Sequence, residues 1–358
     1  MILPWLSCSP IPYFCVPNHP HPISLTYWTA DSLQVPMLSI NFSYTSENIY
    51  NKPVFKGSCI PQHFPENYFS NSYPFDSAHD FYTQDCPPLP KRRALLIGIQ
   101  YYRENPLDGL LNDVEGMHDV IVRLNHFRPN DITLITDHTS TQPTRANILG
   151  AIRNLVSDAQ ENDSLLIYYA GHGTRYSGSV YSRSPSMQED VVEAICPIDR
   201  GSVANGEMVF DITDRDIDAI ISGISAKITF VLDCCHGGTM VDVQNCRSGK
   251  VRYAKPLPDM GRVLYEKSGE HRIWGRGCES HIFLVACKGY QIALEGFAEA
   301  SAKIHGAFTQ ALLHALKSDA ERTMTYGQLM AQIGALPSQT PVIHGDAYTG
   351  RLWSVSDK

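Results

Sequence analysis

Ser164-Leu-Leu-Ile-Tyr-Tyr-Ala-Gly-His-Gly173 decides the architecture. Residues 164–169 form a short apolar run closed by a glycine turn, the pattern of a strand buried on both faces of a parallel sheet. The run ends at a turn that displays an imidazole. The same design recurs at Ile228-Thr-Phe-Val-Leu-Asp-Cys-Cys-His-Gly-Gly238, where an apolar run ends at two thiols. Working outward, 94–99 reads as a first strand and 132–135 as another, with helical spacing over 111–124 between them. Residues 144–156 follow as a helix with Thr144 as N-cap. A short strand at 191–195 and a helix at 213–224 precede the thiol-bearing run. A strand at 281–286 and helices at 306–316 and 326–333 complete the pattern. This alternation predicts an α/β fold: a mostly parallel central sheet of about six strands, flanked by helices on both faces. In such sheets the chemistry gathers at the carboxyl ends of the strands.

Composition narrows the function classes. Hydrophobic residues make up 43% of the 358 and charged residues 18%, enough apolar side chain for a sizeable core. A formal net charge of -8 argues against coating nucleic acid, which calls for clustered positive charge. None of the ten cysteines forms a Cys-x-x-Cys pair, so neither a zinc site nor a disulfide scaffold is expected. The first sixteen residues are apolar but lack a basic start and are broken by Pro4, Pro10 and Pro12, a poor signal peptide. No apolar run approaches the ~20 residues of a membrane helix. Reduced thiols in a cytoplasmic or nuclear protein, away from membranes, are the expectation. No Gly-x-x-x-x-Gly-Lys-Ser/Thr segment suggests a nucleotide.

Residues 1–90 differ in kind, rich in Pro, Ser, Asn and aromatic residues without a sustained period. They read as a disordered extension, or as a prodomain that docks through its aromatic and proline residues. The folded domain is expected over 91–355, with a flexible linker at 246–280.

A thiol becomes a nucleophile when a base removes its proton, and an imidazole does this near neutral pH. The same imidazole can then protonate the leaving amine. His172 and Cys235 occupy matching strand ends and form the candidate pair. Cys234 reads as a small buried hydrophobe. His236 competes with His172 as base, although adjacent turn residues tend to point apart. The backbone N–H groups of Gly173 and Cys235 are candidates for holding an oxyanion.

Tyr168-Tyr-Ala-Gly-His-Gly173 and Asp233-Cys-Cys-His-Gly-Gly238 resemble the two signature segments of metacaspases, the caspase relatives of fungi, plants and protists. Leu107-Asp-Gly-Leu-Leu-Asn-Asp113 resembles the family's early acidic segment, and Glu193-Ala-Ile-Cys-Pro-Ile-Asp199 its mid-domain strand. The resemblance, closest to the fungal type I pattern, covers roughly 92–355. It implies a caspase-like α/β/α sandwich, His172 as general base and Cys235 as nucleophile. It also implies a specificity pocket built from Asp113 and Asp233, with Ala170 lining it. The family cleaves proteins and peptides after Arg or Lys, and two carboxylates suit such a side chain. The competing reading of Asp113 is a charge at a helix N-terminus.

The chain departs from the family pattern. Leu110 stands where Cys is usual, Ala170 and Gly237 where Ser is usual. Of four calcium-ligand positions, Asp214 and Asp242 match, while Val192 and Arg215 occupy the others; Asp190 or Asp216 could substitute. Calcium takes six to eight oxygen ligands, so no cofactor is expected to be required and calcium binding is expected to be poor. The basic stretch 249–276, including Arg252, reads as a solvated loop or as a linker cut by the enzyme itself. Lys91-Arg-Arg93 offers a similar site, a weak nuclear-import patch, or plain flanking charge. A monomer acting on protein substrates is expected, the rival being a non-enzymatic scaffold with the same fold.

Overall fold

The register between two neighbouring strands brings the two reactive turns together. The computed structural model describes residues 90–124, 126–177, 191–235, 250–258, 260, 281–289, 291–298, 301–319, 323–337, 339–345 and 348–354. The expected N-terminal extension up to residue 89, and residues 246–249, 259 and 261–280 of the expected linker, lie outside them.

In chain order the elements are β1 (Arg92–Gly98), α1 (Leu110–Arg123), β2 (Ile132–Thr136), α2 (Arg145–Val156), β3 (Ser164–Ala170), β4 (Gly173–Ser177) and β5 (Val191–Ile195). There follow the hairpin strands β6 (Val203–Ala204) and β7 (Glu207–Met208), then β8 (Ile212–Thr213), α3 (Asp214–Ile221) and β9 (Lys227–Asp233). The last are β10 (Ile282–Val285), β11 (Glu295–Ala298), β12 (Lys303–Gly306), α4 (Ala307–Ser318), α5 (Tyr326–Ile333) and β13 (Val342–His344).

The central sheet has six strands in the order β13-β10-β9-β3-β1-β2. All neighbours are parallel except β13, which runs antiparallel to β10. Every residue of β3 is buried, as its unbroken apolar run requires. Helices α1, α4 and α5 pack together as one layer and α2 with α3 as the other. This is the expected caspase-like α/β architecture. Each Leu or Ile wholly buried in the layers stabilises the fold by about 1.5–3 kcal/mol.

The helix starts follow local chemistry. Thr144 caps α2 by accepting from the Asn147 amide, and Thr213 and Thr325 form capping boxes on α3 and α5 with Asp216 and Gln328. Gly98 is needed where α1 crosses β1, because a Cβ there would come within 2.5 Å of Val114.

One expectation fails. Residues 251–254, part of the stretch read as a solvated loop or a self-cut linker, lie in the interior: Val251 is 7% exposed and Arg252 0%. Backbone pairing and a buried ion cluster, set out below, hold this stretch in place. Lys91-Arg-Arg93 is no open cleavage site, since Arg92 and Arg93 open β1 and pair with Ser164 and Leu165. Lys91 and Arg93 both bridge to Asp158, so flanking charge is the reading that fits.

Candidate active site

Strands β3 and β9 pair in register through Ala170 and Asp233. His172 and Cys235 each lie two residues beyond that pair, on neighbouring strands about 4.8 Å apart. Gly173 allows the two turns to close on each other, because a Cβ there would stand 2.3 Å from the Cys235 carbonyl oxygen. Ala170 ends β3 fully buried, its carbonyl accepting from the Ile99 amide at 3.1 Å.

The imidazole of His172 is held on one side only. Its Nε2 donates to the Asn105 carbonyl at 2.7 Å, and a carbonyl only accepts, so the proton sits on Nε2. Nδ1 is buried and makes no hydrogen bond. Asn105 presents its carbonyl from the left-handed region, at φ 53°. The Tyr102 ring packs against the imidazole with centroids 4.4 Å apart. The Tyr102 hydroxyl accepts from the His172 amide at 3.0 Å, and the Tyr169 hydroxyl donates to the His172 carbonyl at 2.6 Å. Burial lowers the His172 pKa to about 4, the charges of Arg200 and Arg252 push the same way, and the Asn105 carbonyl opposes them in part.

Cys235 is fully buried, its Sγ accepting from the Ala293 amide at 2.7 Å. Burial and the neighbouring Cys287 push its thiol well above the ordinary range. Cys234 is buried as expected of a small apolar residue. His236 lies outside the described residues.

Beside this pair is a buried acidic pocket, and it is filled. Arg252 places its guanidinium against Asp113, against Asp233 at 2.8 Å and against Glu295 at 3.1 Å. Asp113, in the first turn of α1, also accepts from the Gly306 amide and lies 3.0 Å from His305 Nδ1. Asp233 accepts from the amide and hydroxyl of Thr309 at 3.1 and 2.6 Å. Glu295 accepts from the amides of Gly109 and Asp108. Gly306 leaves room for the guanidinium, since a Cβ there would meet Asp233 and Arg252 within 2.5 Å. Burial alone would weaken the guanidinium's charge, but Asp233, Asp113 and Glu295 outweigh it and hold Arg252 firmly protonated. Burial nevertheless raises Asp233 above the usual carboxylate range, against the pull of Arg252. Leu110, at the start of α1, is buried.

The Arg252 backbone is held as well. Its carbonyl oxygen accepts from the amides of Gly173 at 3.1 Å and Cys235 at 3.0 Å. These are the two N–H groups that the sequence singles out for an oxyanion. Glu295, Arg252 and the Asn105 carbonyl are the elements sequence reasoning missed. Glu295 is a lone acid after the apolar Ile292-Ala-Leu294 run, and a backbone carbonyl leaves no side-chain signature.

Among the described residues, the calcium-type positions offer a divalent cation few ligands. Burial, reinforced by the charge of Glu193, raises the Asp214 pKa to about 8, so that carboxyl is largely protonated near neutrality. Asp216 accepts from the Thr213 hydroxyl within the capping box of α3 and pairs with Arg145 at 2.9 Å. Val192 is buried in a small apolar cluster. Asp190 and Asp242 lie outside the described residues. Among the described residues no group of three or more His, Cys, Asp or Glu could hold a metal ion. No described helix is long and apolar enough to cross a membrane.

Comparison with known proteins agrees with the fold. Residues 92–244 match the family model described as Metacaspase, peptidase C14 domain. Metacaspase-1 of Schizosaccharomyces pombe is 33% identical over 198 residues, 53% of this chain and 43% of that protein. Metacaspase-1 of Pyricularia oryzae is 35% identical over 182 residues, 49% of this chain and 42% of that protein. The chain thus matches less than half the length of these relatives. A crystal structure of a Geobacter sulfurreducens protein, 19% identical, superimposes with a TM-score of 0.56 over 75% of this chain and all of that one, a likeness of fold.

Proposed function

We propose, from the premise that residues 92–244 belong to the metacaspase peptidase C14 domain family, that the protein is a cysteine endopeptidase cleaving after Arg or Lys. The observation that carries this reading is the placement of Arg252. Its guanidinium lies on three carboxylates while its carbonyl lies on the amides of Gly173 and Cys235. A substrate residue before a scissile bond requires both contacts at once.

Nδ1 of His172, left unprotonated by the Nε2 bond to Asn105, takes the proton of Cys235. The thiolate attacks the scissile carbonyl, and the Gly173 and Cys235 amides hold the oxyanion as it forms. The imidazolium then protonates the leaving amine, and water hydrolyses the thioester. Asp113, Asp233 and Glu295 select the cationic side chain; the planar guanidinium can meet two of them at separate nitrogens, where Lys offers a point charge. The calcium-type residues supply no step. Self-processing within 249–276 belongs to the same reading, because that stretch is rich in Arg and Lys.

The scaffold reading is favoured by one observation, that the pocket is closed and Cys235 fully buried. Fluorogenic peptides ending in Arg, Lys or Asp, assayed with wild type and Cys235→Ala, separate the two. Turnover of the Arg and Lys peptides that is lost in the variant supports the peptidase. Absence of turnover, with Cys235 inert to thiol reagents, supports the scaffold.

A further inference from the structure

A second thiol stands beside Cys235, and the peptidase chemistry has no use for it. Strands β9 and β10 run parallel with Leu232 opposite Val285. The Ala286 amide donates to the Leu232 carbonyl at 3.0 Å and carries the pairing past the strand ends. Cys235 follows β9 and Cys287 follows β10, so the two thiols leave neighbouring strands about 4.8 Å apart. The Cys287 side chain hydrogen-bonds to that of Cys235. Its Sγ also lies 3.5 Å from the Gln291 carbonyl and 3.9 Å from that of Cys234. Cys235 Sγ rests on the same loop two residues further on, accepting from the Ala293 amide at 2.7 Å.

The loop that carries Cys287 is fixed at both ends. Gln339, buried beneath it, donates to the Ala286 carbonyl at 2.9 Å and accepts from the Leu294 amide at 3.0 Å. Within the loop Gln291 accepts from the Thr340 amide at 2.9 Å. A disulfide needs Cα atoms about 4.4–6.8 Å apart, and the strand spacing falls inside that range. Cys234 does not meet this condition with Cys235, because adjacent Cα atoms are only about 3.8 Å apart. Its sulfur also turns towards Gly173, 3.2 Å from where a Cβ would stand. A cysteine kept only as a small buried hydrophobe needs no partner thiol. A reactive cysteine with a second thiol poised beside it is the arrangement of redox-responsive sites.

We propose that Cys287 is a resolving thiol, which closes a disulfide on Cys235 after a peroxide has oxidised it. The Cys235 thiolate, formed by proton transfer to His172, attacks one oxygen of hydrogen peroxide. The S–O bond forms as the O–O bond breaks, and the departing hydroxide takes the imidazolium proton and leaves as water. Cys287 Sγ then attacks the sulfenic sulfur. The S–S bond forms as the S–O bond breaks, and the second hydroxide leaves as water with the Cys287 proton. Two thiols and one peroxide thus give one disulfide and two waters, each sulfur losing one electron and the peroxide gaining two. The disulfide spares Cys235 the irreversible higher oxidation states and is reopened by a dithiol.

Formation of this bond is independent of the peptidase reading, and only its effect on turnover rests on that reading. The full-length chain, reduced and then freed of reductant, is treated with hydrogen peroxide. It is followed by intact mass, by mapping of linked peptides and by Arg-peptide turnover. Wild type is expected to lose a pair of hydrogens, to link Cys235 to Cys287, and to lose turnover that dithiothreitol restores. Cys234→Ala should form the same link. Cys287→Ser should instead gain oxygen at Cys235, and dithiothreitol should recover about 10-fold less of its turnover. Should that variant fold poorly, Cys287→Ala replaces it, and the wild-type link is scored on mass alone. No link in wild type, a link from Cys235 to another cysteine, or equal recovery in wild type and variant overturns the assignment. A Cys235–Cys287 link in a chain that turns over no peptide before oxidation upholds it and counts against the peptidase reading instead.

Discussion

Two of the buried acidic groups among the described residues behave in opposite ways. At the carboxyl ends of β3 and β9, three carboxylates share one guanidinium and several backbone amides. At the start of α3, Asp214 lies buried beside Glu193, and its pKa rises to about 8. The first group is built to hold a cation and holds one from its own chain. At the second, burial outweighs the nearby Arg215 and raises the pKa of the Asp214 carboxyl instead. Burial makes a carboxylate costly, and what differs is whether a buried partner offsets that cost.

The largest expected effect comes from emptying the first group. Arg252→Ala leaves three buried carboxylates without their cation, and such breaks cost about 3–5 kcal/mol. Urea unfolding at neutral pH should show a loss of this size. An unchanged midpoint would mean that Arg252 is not seated among them.

At the second group the sign reverses with pH. Asp214 binds its proton more tightly folded than unfolded, so its contribution is present at acid pH and falls away as pH rises from 4 towards 8. The shift corresponds to roughly 4 kcal/mol lost by pH 7. Asp214→Asn should therefore flatten the stability profile over this range and be the more stable protein at its upper end. A variant that merely tracks wild type would contradict the assignment.

His172 provides a third, smaller contrast. Its folded pKa of about 4 lies below the unfolded value near 6.5, so the unfolded chain binds a proton first as pH falls. Stability present above pH 6.5 is lost towards pH 4, by roughly 3 kcal/mol. His172→Gln should lack this slope in thermal unfolding followed across that window.

Calcium should have the smallest effect of all. Adding calcium chloride is expected to leave the unfolding temperature unchanged, whereas a clear rise would show that the Asp214 group takes the ion after all.

The sheet and both reactive turns were legible because their signals are local. The apolar runs 164–169 and 228–232 carry their own strand pattern, and Thr144 and Thr213 mark helix starts through their side chains. Asp113 and Asp233 were legible through motif resemblance rather than through periodicity. The short strands β6–β8 and the β11–β12 hairpin escaped because two to four residues cannot display a period. Asn105 acts through its carbonyl, which every residue possesses. Arg252 was visible only as one cation among seven in a polar stretch. Its burial depends on Asp113, 139 residues earlier in the chain, and no local pattern reports that pairing. The error over 251–254 therefore teaches that basic composition does not place a segment in solvent when a buried acidic pocket awaits it.

The central claim is that Cys235 acts beside a pocket selective for arginine. The most direct measurement is covalent labelling by an arginyl chloromethyl ketone peptide, located by mass spectrometry. The account predicts alkylation at Cys235 after the segment at 250–254 has been cut or displaced, competed by Arg peptides and absent with the Asp analogue. Equal labelling by both analogues, or labelling at another cysteine, would contradict it.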